Sequence, residues 1–275
     1  LTGLRGSLTK IGGLTRMVTG GLATLGVGFS LHKMIAGAAE FEQQMAFVST
    51  MLDDVGMKYM PAFTEGVKKL GLEFAQTSQT MSKGLYDILS ASVDPAKALD
   101  VLAVSAKAAV GGFTTTAVAA NALTTVLNSY RLSTDKAALV SDMFFMTVKR
   151  GKLTYEEFAS SIGKAAATSA IAGVKLEELL AYVATTTRAG LSADIAMTAI
   201  VGTLQAFMKP TDKGAKAAKK FGFELSTATL KTKGLIGVFE LLNGLTAEQL
   251  ATIFPNIRGL KGVAAAMQDQ AGYVK

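Results

Sequence analysis

Cysteine and tryptophan are absent, histidine occurs once, and proline appears only four times in 275 residues. With no thiol, disulfides, cysteine-ligated zinc and thiol nucleophiles are excluded, and the redox compartment stays undecided. The single histidine, His32, all but rules out a Ser-His-Asp arrangement and rules out any multi-histidine metal site. His32 stands beside Lys33 at the end of an apolar run and reads as a polar helix end. No glycine-rich phosphate loop is present, because the glycines fall at expected helix ends rather than between a strand and a helix. Adjacent acids occur at Asp53-Asp54, Glu156-Glu157 and Glu177-Glu178. Neighbours on a helix do not face each other, so none of these is a carboxylate dyad. The two glutamate pairs fit first-turn acids that stabilise helix N-termini. The sequence therefore carries no catalytic, metal or cofactor motif, and no enzyme activity is expected.

Charge is also scarce, at 18% of residues, against 49% hydrophobic. Such a chain is too apolar to stay disordered, and its length suits one large domain or two ordinary ones. Alanine, glycine and threonine supply much of the apolar content, which favours close approach of helices over a bulky aromatic core. The net charge of +7 suits an acidic partner or surroundings. Opening on Leu1, inside a pattern, the chain reads as a segment of a longer or processed polypeptide.

Residues 1–37 form a glycine-rich lead segment, basic over 1–16 and uncharged from Met17 to Leu31. Fifteen uncharged residues fall short of the roughly 20 that span a bilayer. Gly20, Thr24 and Gly28 recur at four-residue spacing, a small-residue stripe that permits close contact in lipid or in a bundle. Two readings stay open here: a buried or oligomer-facing helix, and a membrane-active segment.

From Ala38 onward the pattern predicts an all-α fold, a packed array of short amphipathic helices and helical hairpins with glycine breaks. Phe41, Met45, Val48 and Leu52 share one side of the first helix. Asp94-Pro95 pairs an N-cap with proline at the first helical position. Ser133 is expected to cap a helix running to Arg150. Within it Asp142 lies among apolar residues and is expected to be partly buried, accepting hydrogen bonds or pairing with a base such as Arg131.

The stretch from Thr154 to Pro210 is the most legible. Thr154 with Glu157 forms a capping box, and Gly173 supplies a left-handed stop. A second helix with Leu176, Leu179, Leu180 and Val183 on one face ends at Gly190. A third starts at Ser192, aligns Met197, Ile200, Leu204 and Phe207, and stops before Pro210. None of the three can bury its stripe alone, so they must pack together. Residues 38–210 are therefore taken as the helical core region, and 211–275 as a basic helix, an irregular loop and C-terminal helices.

Lys209, Lys213, Lys216, Lys219 and Lys220 lie within twelve residues, opposed only by Asp212. Lys213, Lys216 and Lys220 would share a helix face, which suits a solvated surface, an acidic wall or DNA phosphates. No aromatic interleaves them, which argues against base stacking. Residues 222–234 have the threonine and glycine content of an irregular loop or short hairpin, and Thr246 with Gln249 caps a helix that ends near Pro255.

Several ordered motifs resemble the conserved region of phage tail tape measure proteins. They include Ala39-Glu40-Phe41-Glu42 with Met45 and Val48, Leu70-Gly71 through Thr77, and Ala106-Lys107-Ala108-Ala109 before a threonine-rich turn. Further on come Lys175 to Ala181, Arg188-Ala189-Gly190-Leu191-Ser192 and Lys209-Pro210-Thr211. Ile253-Phe254-Pro255 stands where the family often has Phe-Gly, so the resemblance covers residues 38–267 with one altered turn. It implies a structural virion protein that occupies the tail tube lumen or tip, helps set tail length and leaves during genome ejection. It also implies tail tube and tip or baseplate proteins as partners, a symmetric trimer or hexamer of the chain, and transient contact with DNA and the host membrane. A membrane-inserting segment that assists DNA passage is the alternative. The length-setting ruler would be a long coiled coil, whereas this glycine-rich stretch lacks sustained heptads and is expected to be a packed region beside it.

Overall fold

Side-chain caps set most of the helix starts. Thr77, Asp94, Thr115, Thr154, Ser192, Thr211, Ser226 and Thr246 each accept a backbone N–H of the first turn through a side-chain oxygen. The computed structural model describes residues 27–268, with side chains from residue 37. Among these the chain forms fourteen α-helices and two short 3-10 turns, with no strand. Helices α1 to α5 span Val27–Ser49, Met60–Glu73, Ser78–Ser90, Pro95–Gly111 and Thr116–Ser129. Helices α6 to α10 span Ala137–Arg150, Tyr155–Ser161, Gly163–Ala172, Leu176–Arg188 and Ala193–Met208. Helices α11 to α14 span Asp212–Lys220, Thr227–Leu242, Ala247–Ile253 and Ile257–Gln268. The all-α expectation is met.

The start and the two internal breaks of the central three-unit stretch follow the sequence reading. Thr154 and Glu157 complete their capping box, with the Thr154 N–H donating to Glu157 Oε2 at 2.7 Å. Gly173 and Gly190 hold φ of +84° and +100°, where a Cβ would strain the backbone. The first unit departs from a single helix and is divided at Ile162 into α7 and α8. Ser161 Oγ donates to the carbonyls of Glu157 and Phe158 at the division, a side-chain competitor for the helix ladder.

One contiguous apolar cluster runs from Met45 to Ala266. Helix α5 lies near its middle, against α3, α4, α6, α7 and α8. Alanine lets α5 approach so many neighbours: Ala119, Ala120 and Ala122 are all buried. Several of the buried hydroxyls that such packing traps are satisfied within their own helices, although Ser169 Oγ has no partner among the described residues. Ser105, Thr124, Thr186 and Thr187 each donate at 2.8 Å to the carbonyl four residues earlier.

Helix α14 seats on α10 at a distance that no side chain would permit. A Cβ on Gly202 would lie 2.9 Å from the Gly259 nitrogen, and one on Gly259 3.0 Å from the Gly202 carbonyl carbon. Gly262 lies against the Tyr182 hydroxyl and Ala199 in the same way. These glycines stand inside helices as contact points and do not break them.

Residues 222–234, read as an irregular loop or a short hairpin, form no hairpin: 222–226 are loop and the rest lies in α12. Ser226 Oγ accepts the Thr229 N–H at 3.2 Å and starts α12 at Thr227, so the threonines of this stretch belong to a helix. Gly234, at φ +65° and ψ −179°, then breaks α12 internally. Glu178 Oε1 accepts the Leu235 N–H at 3.2 Å, which restarts the helix from a residue 57 positions earlier. A strand-like alternation is brief here, with Phe223 and Leu225 both buried before α12 begins.

Candidate functional site

The lysine cluster folds as expected into a short helix. Thr211 Oγ1 accepts the Gly214 N–H at 3.1 Å, Asp212 occupies the first turn, and Lys219 and Lys220 the last. Both charge placements suit the helix dipole. Gly214 and Ala218 are buried on the inner side, where a Cβ on Gly214 would meet the Ile253 carbonyl oxygen at 3.2 Å. Helix α11 therefore rests on α13 by its small residues, and Lys213, Lys216, Lys219 and Lys220 stay exposed. Lys209 is exposed as well, beside a pocket of about 320 Å³ that Gln205, Thr211 and Asn256 also line.

The cluster belongs to a wider segregation of charge. Residues 209–268 carry nine Lys and Arg against four Asp and Glu, whereas 38–208 carry fourteen against sixteen. All nine cations are exposed, and among the described residues none of them forms an ion pair. Lys231, Lys233, Arg258 and Lys261 join the five lysines that the sequence pattern singled out. Their wider spacing hides them in the sequence, where only the dense run of lysines over 209–220 stands out.

The other sequence candidates fall elsewhere. Gly20 and Thr24 lie outside the described residues, and Gly28 is the second residue of α1. Met17–Leu31 is described only from Val27, so its membrane reading falls mostly outside them; no described helix is long and apolar enough to cross a membrane. Asp142 is a correction. It is exposed rather than partly buried, and it pairs with neither Arg131 nor any other base among the described residues. The apolar residues around it in sequence point to other sides of α6: Phe144 is buried while Met146 is 41% exposed.

The acids expected at helix starts divide in role. Glu157 closes its own capping box, and the Thr154 backbone N–H holds its carboxyl below the usual range. Glu178 caps α9 through the Lys175 N–H and also caps the restart of α12. Its second role has no local sequence signature. Asp135 is held low by the Lys97 ammonium at 3.1 Å, an exposed pair of small energetic weight. Burial raises the Asp87 carboxyl, with nearby Lys83 opposing it. No group of three or more metal-ligating side chains occurs among the described residues. Among the described residues the surface carries a cationic region without ion pairs, and open apolar grooves lie on the more neutral remainder.

The sequence pattern of the phage-related minor tail protein family matches residues 64–271, most of the described fold. The chain belongs to that family. It is also 24% identical over 184 residues to a probable tape measure protein of Clostridium phage phiCD119, a match covering 64% of this chain and 19% of that protein. A probable tape measure protein of Escherichia phage P2 is 26% identical over 145 residues, covering 50% of this chain and 18% of that one. The matches thus span about a fifth of the length of these curated relatives. No solved structure matches the fold. Membership in a tail protein family implies association with other components of a phage tail.

Proposed function

We propose that this chain is the packed helical region of a tail tape measure, seated in the tail tube lumen or tip. There it contributes to setting tail length and departs during genome ejection. The observation that carries the reading is the family match over residues 64–271, joined by similarity to two probable tape measure proteins. A fold of short helices with glycine contacts suits a compact end piece, since a ruler needs long helices at about 1.5 Å per residue. Several copies share the symmetric tube or tip.

The exposed cations of 209–268 face an acidic wall of the tube or tip in this reading. Their lack of ion-pair partners among the described residues supports it, because cations without such partners are available to neutralise an external anion. The test is a phage carrying an early stop codon in the gene for this chain, with tails measured by negative-stain microscopy. Tails are expected to be absent or to lose their uniform length. Tails of normal, uniform length would contradict the proposal. Replacing Lys213, Lys216 and Lys220 together by glutamate tests the wall contact: the chain should fold normally while tail yield falls, and unchanged yield would remove that contact.

A further inference from the structure

Asparagine occurs four times, at residues 121, 128, 243 and 256, and only Asn243 is followed by glycine. The difference is chemical. An asparagine amide carbon lies within reach of the next residue's backbone nitrogen, and a side chain on that next residue hinders their approach. Ala122, Ser129 and Ile257 supply such a side chain behind the other three. Those three are held as well. Asn121 lies inside α5, where the following N–H belongs to the helix ladder. Asn128 Nδ2 donates to the Ala91 carbonyl at 2.9 Å, and Asn256 Oδ1 accepts the Arg258 N–H at 2.9 Å.

Asn243 and Gly244 open the short link between α12 and α13, and both are exposed. Asn243 has left the helix, at φ −64° and ψ 131°. Gly244 sits at φ +88°, and a Cβ there would meet nothing within 4 Å. The Gly244 N–H donates to no acceptor among the described residues. One backbone bond spans the pair, from the Leu245 N–H to the Leu242 carbonyl at 3.2 Å, and its opening is a cost the fold sets against any rearrangement here.

We propose that Asn243–Gly244 is a self-modification site, at which Asn243 converts to aspartate and isoaspartate through a cyclic imide. Base removes the Gly244 amide proton, and the nitrogen attacks Asn243 Cγ. An N–Cγ bond forms, the Cγ–Nδ2 bond breaks, and ammonia leaves with a proton from water. A second water then adds to one of the two imide carbonyls. Opening at Cγ gives aspartate. Opening at the main-chain carbonyl carbon gives isoaspartate, whose backbone runs through the side chain and is longer by a carbon. Either product adds a carboxylate to the cationic residues 209–268. Isoaspartate also lengthens the link to α13, whose Ile253 carbonyl oxygen stands 3.2 Å from where a Cβ on Gly214 would lie. The change therefore reaches the lysine helix α11 through its support. The proposal stands on local chemistry and not on the tail reading.

The test holds the purified chain in mildly alkaline buffer at physiological temperature and follows all four asparagines by peptide mapping in a mass spectrometer. The Asn243 peptide should deamidate roughly tenfold faster, or more, than the peptides of Asn121, Asn128 and Asn256. Labelling with an isoaspartyl methyltransferase should mark the same peptide. Gly244→Ala should slow the reaction by roughly tenfold, and Asn243→Gln, which would need a six-membered ring, should stop it on that time scale. The aged wild type should melt at a lower temperature than the fresh chain. Asn243→Asp, which has the charge without the extra carbon, should keep the fresh value. Deamidation of Asn243 no faster than that of the other three would overturn the proposal, and so would an undiminished rate in Gly244→Ala. An aged chain that melts with the fresh one would overturn the effect on α13.

Discussion

Two helix contacts in this molecule are built on opposite plans. Helices α10 and α14 meet through Gly202 and Gly259 at backbone distance, with Tyr182 sealed beneath Gly262. Helices α4 and α6 also touch, but leave a groove of about 510 Å³ beside Val110 and Phe145. The first contact removes side chains to close completely. The second keeps exposed apolar side chains that a closed contact would have buried. Small residues here mark where the chain packs on itself, and large exposed ones mark where it has packing left to offer.

The largest effect that sharpens this contrast is alkaline unfolding. Burial raises the phenols of Tyr130, Tyr155 and Tyr182 above their ordinary value of 10.0. The unfolded chain ionises these phenols above pH 10 and the folded chain resists, so stability is intact below pH 10 and falls as pH rises beyond it. Each tyrosine contributes a slope of about 1.4 kcal/mol per pH unit. Tyr182 lies under the closed contact, whereas Tyr155 packs on Phe145 behind the open groove at 4.9 Å between ring centroids. Denaturant midpoints between pH 9 and 11 should show Tyr182→Phe and Tyr155→Phe flattening the slope equally. A smaller change for Tyr155→Phe would mean that water reaches the core through the groove.

Substitutions at the two contacts should differ next. Gly259→Leu forces a side chain against the backbone of α10 and is expected to cost about 3 kcal/mol in chemical denaturation. Val110→Ala, at an open groove wall, should change monomer stability by less than about 0.5 kcal/mol. Equal losses would break the distinction. A further effect carries the opposite sign. The Tyr182 hydroxyl is buried with no hydrogen-bond partner among the described residues, so Tyr182→Phe should stabilise the fold by about 1 kcal/mol near pH 7 in thermal or chemical melts.

The same contrast separates what the sequence disclosed from what it withheld. Helix boundaries were legible where a local rule decides them, as at Thr154 with Glu157, Asp94 with Pro95, and Gly173. The meeting of Gly202 and Gly259 was not, because glycines inside helices carry the same letter as glycines that end them. Glu178 looked like one cap and serves two helices, the second set by tertiary placement. Asp142 sat among apolar neighbours in sequence, but helical rotation turns those neighbours away and leaves it exposed. The lysine helix was readable from density alone, while its extension by Lys231, Lys233, Arg258 and Lys261 needed the fold's exposure pattern.

Cryo-electron microscopy of purified tails tests the account most directly. The proposal predicts helical density inside the tube lumen or tip into which α2 to α14 fit, present in several symmetric copies, with α11 turned toward an acidic protein surface. Tails whose lumen and tip hold no density for this fold would contradict it.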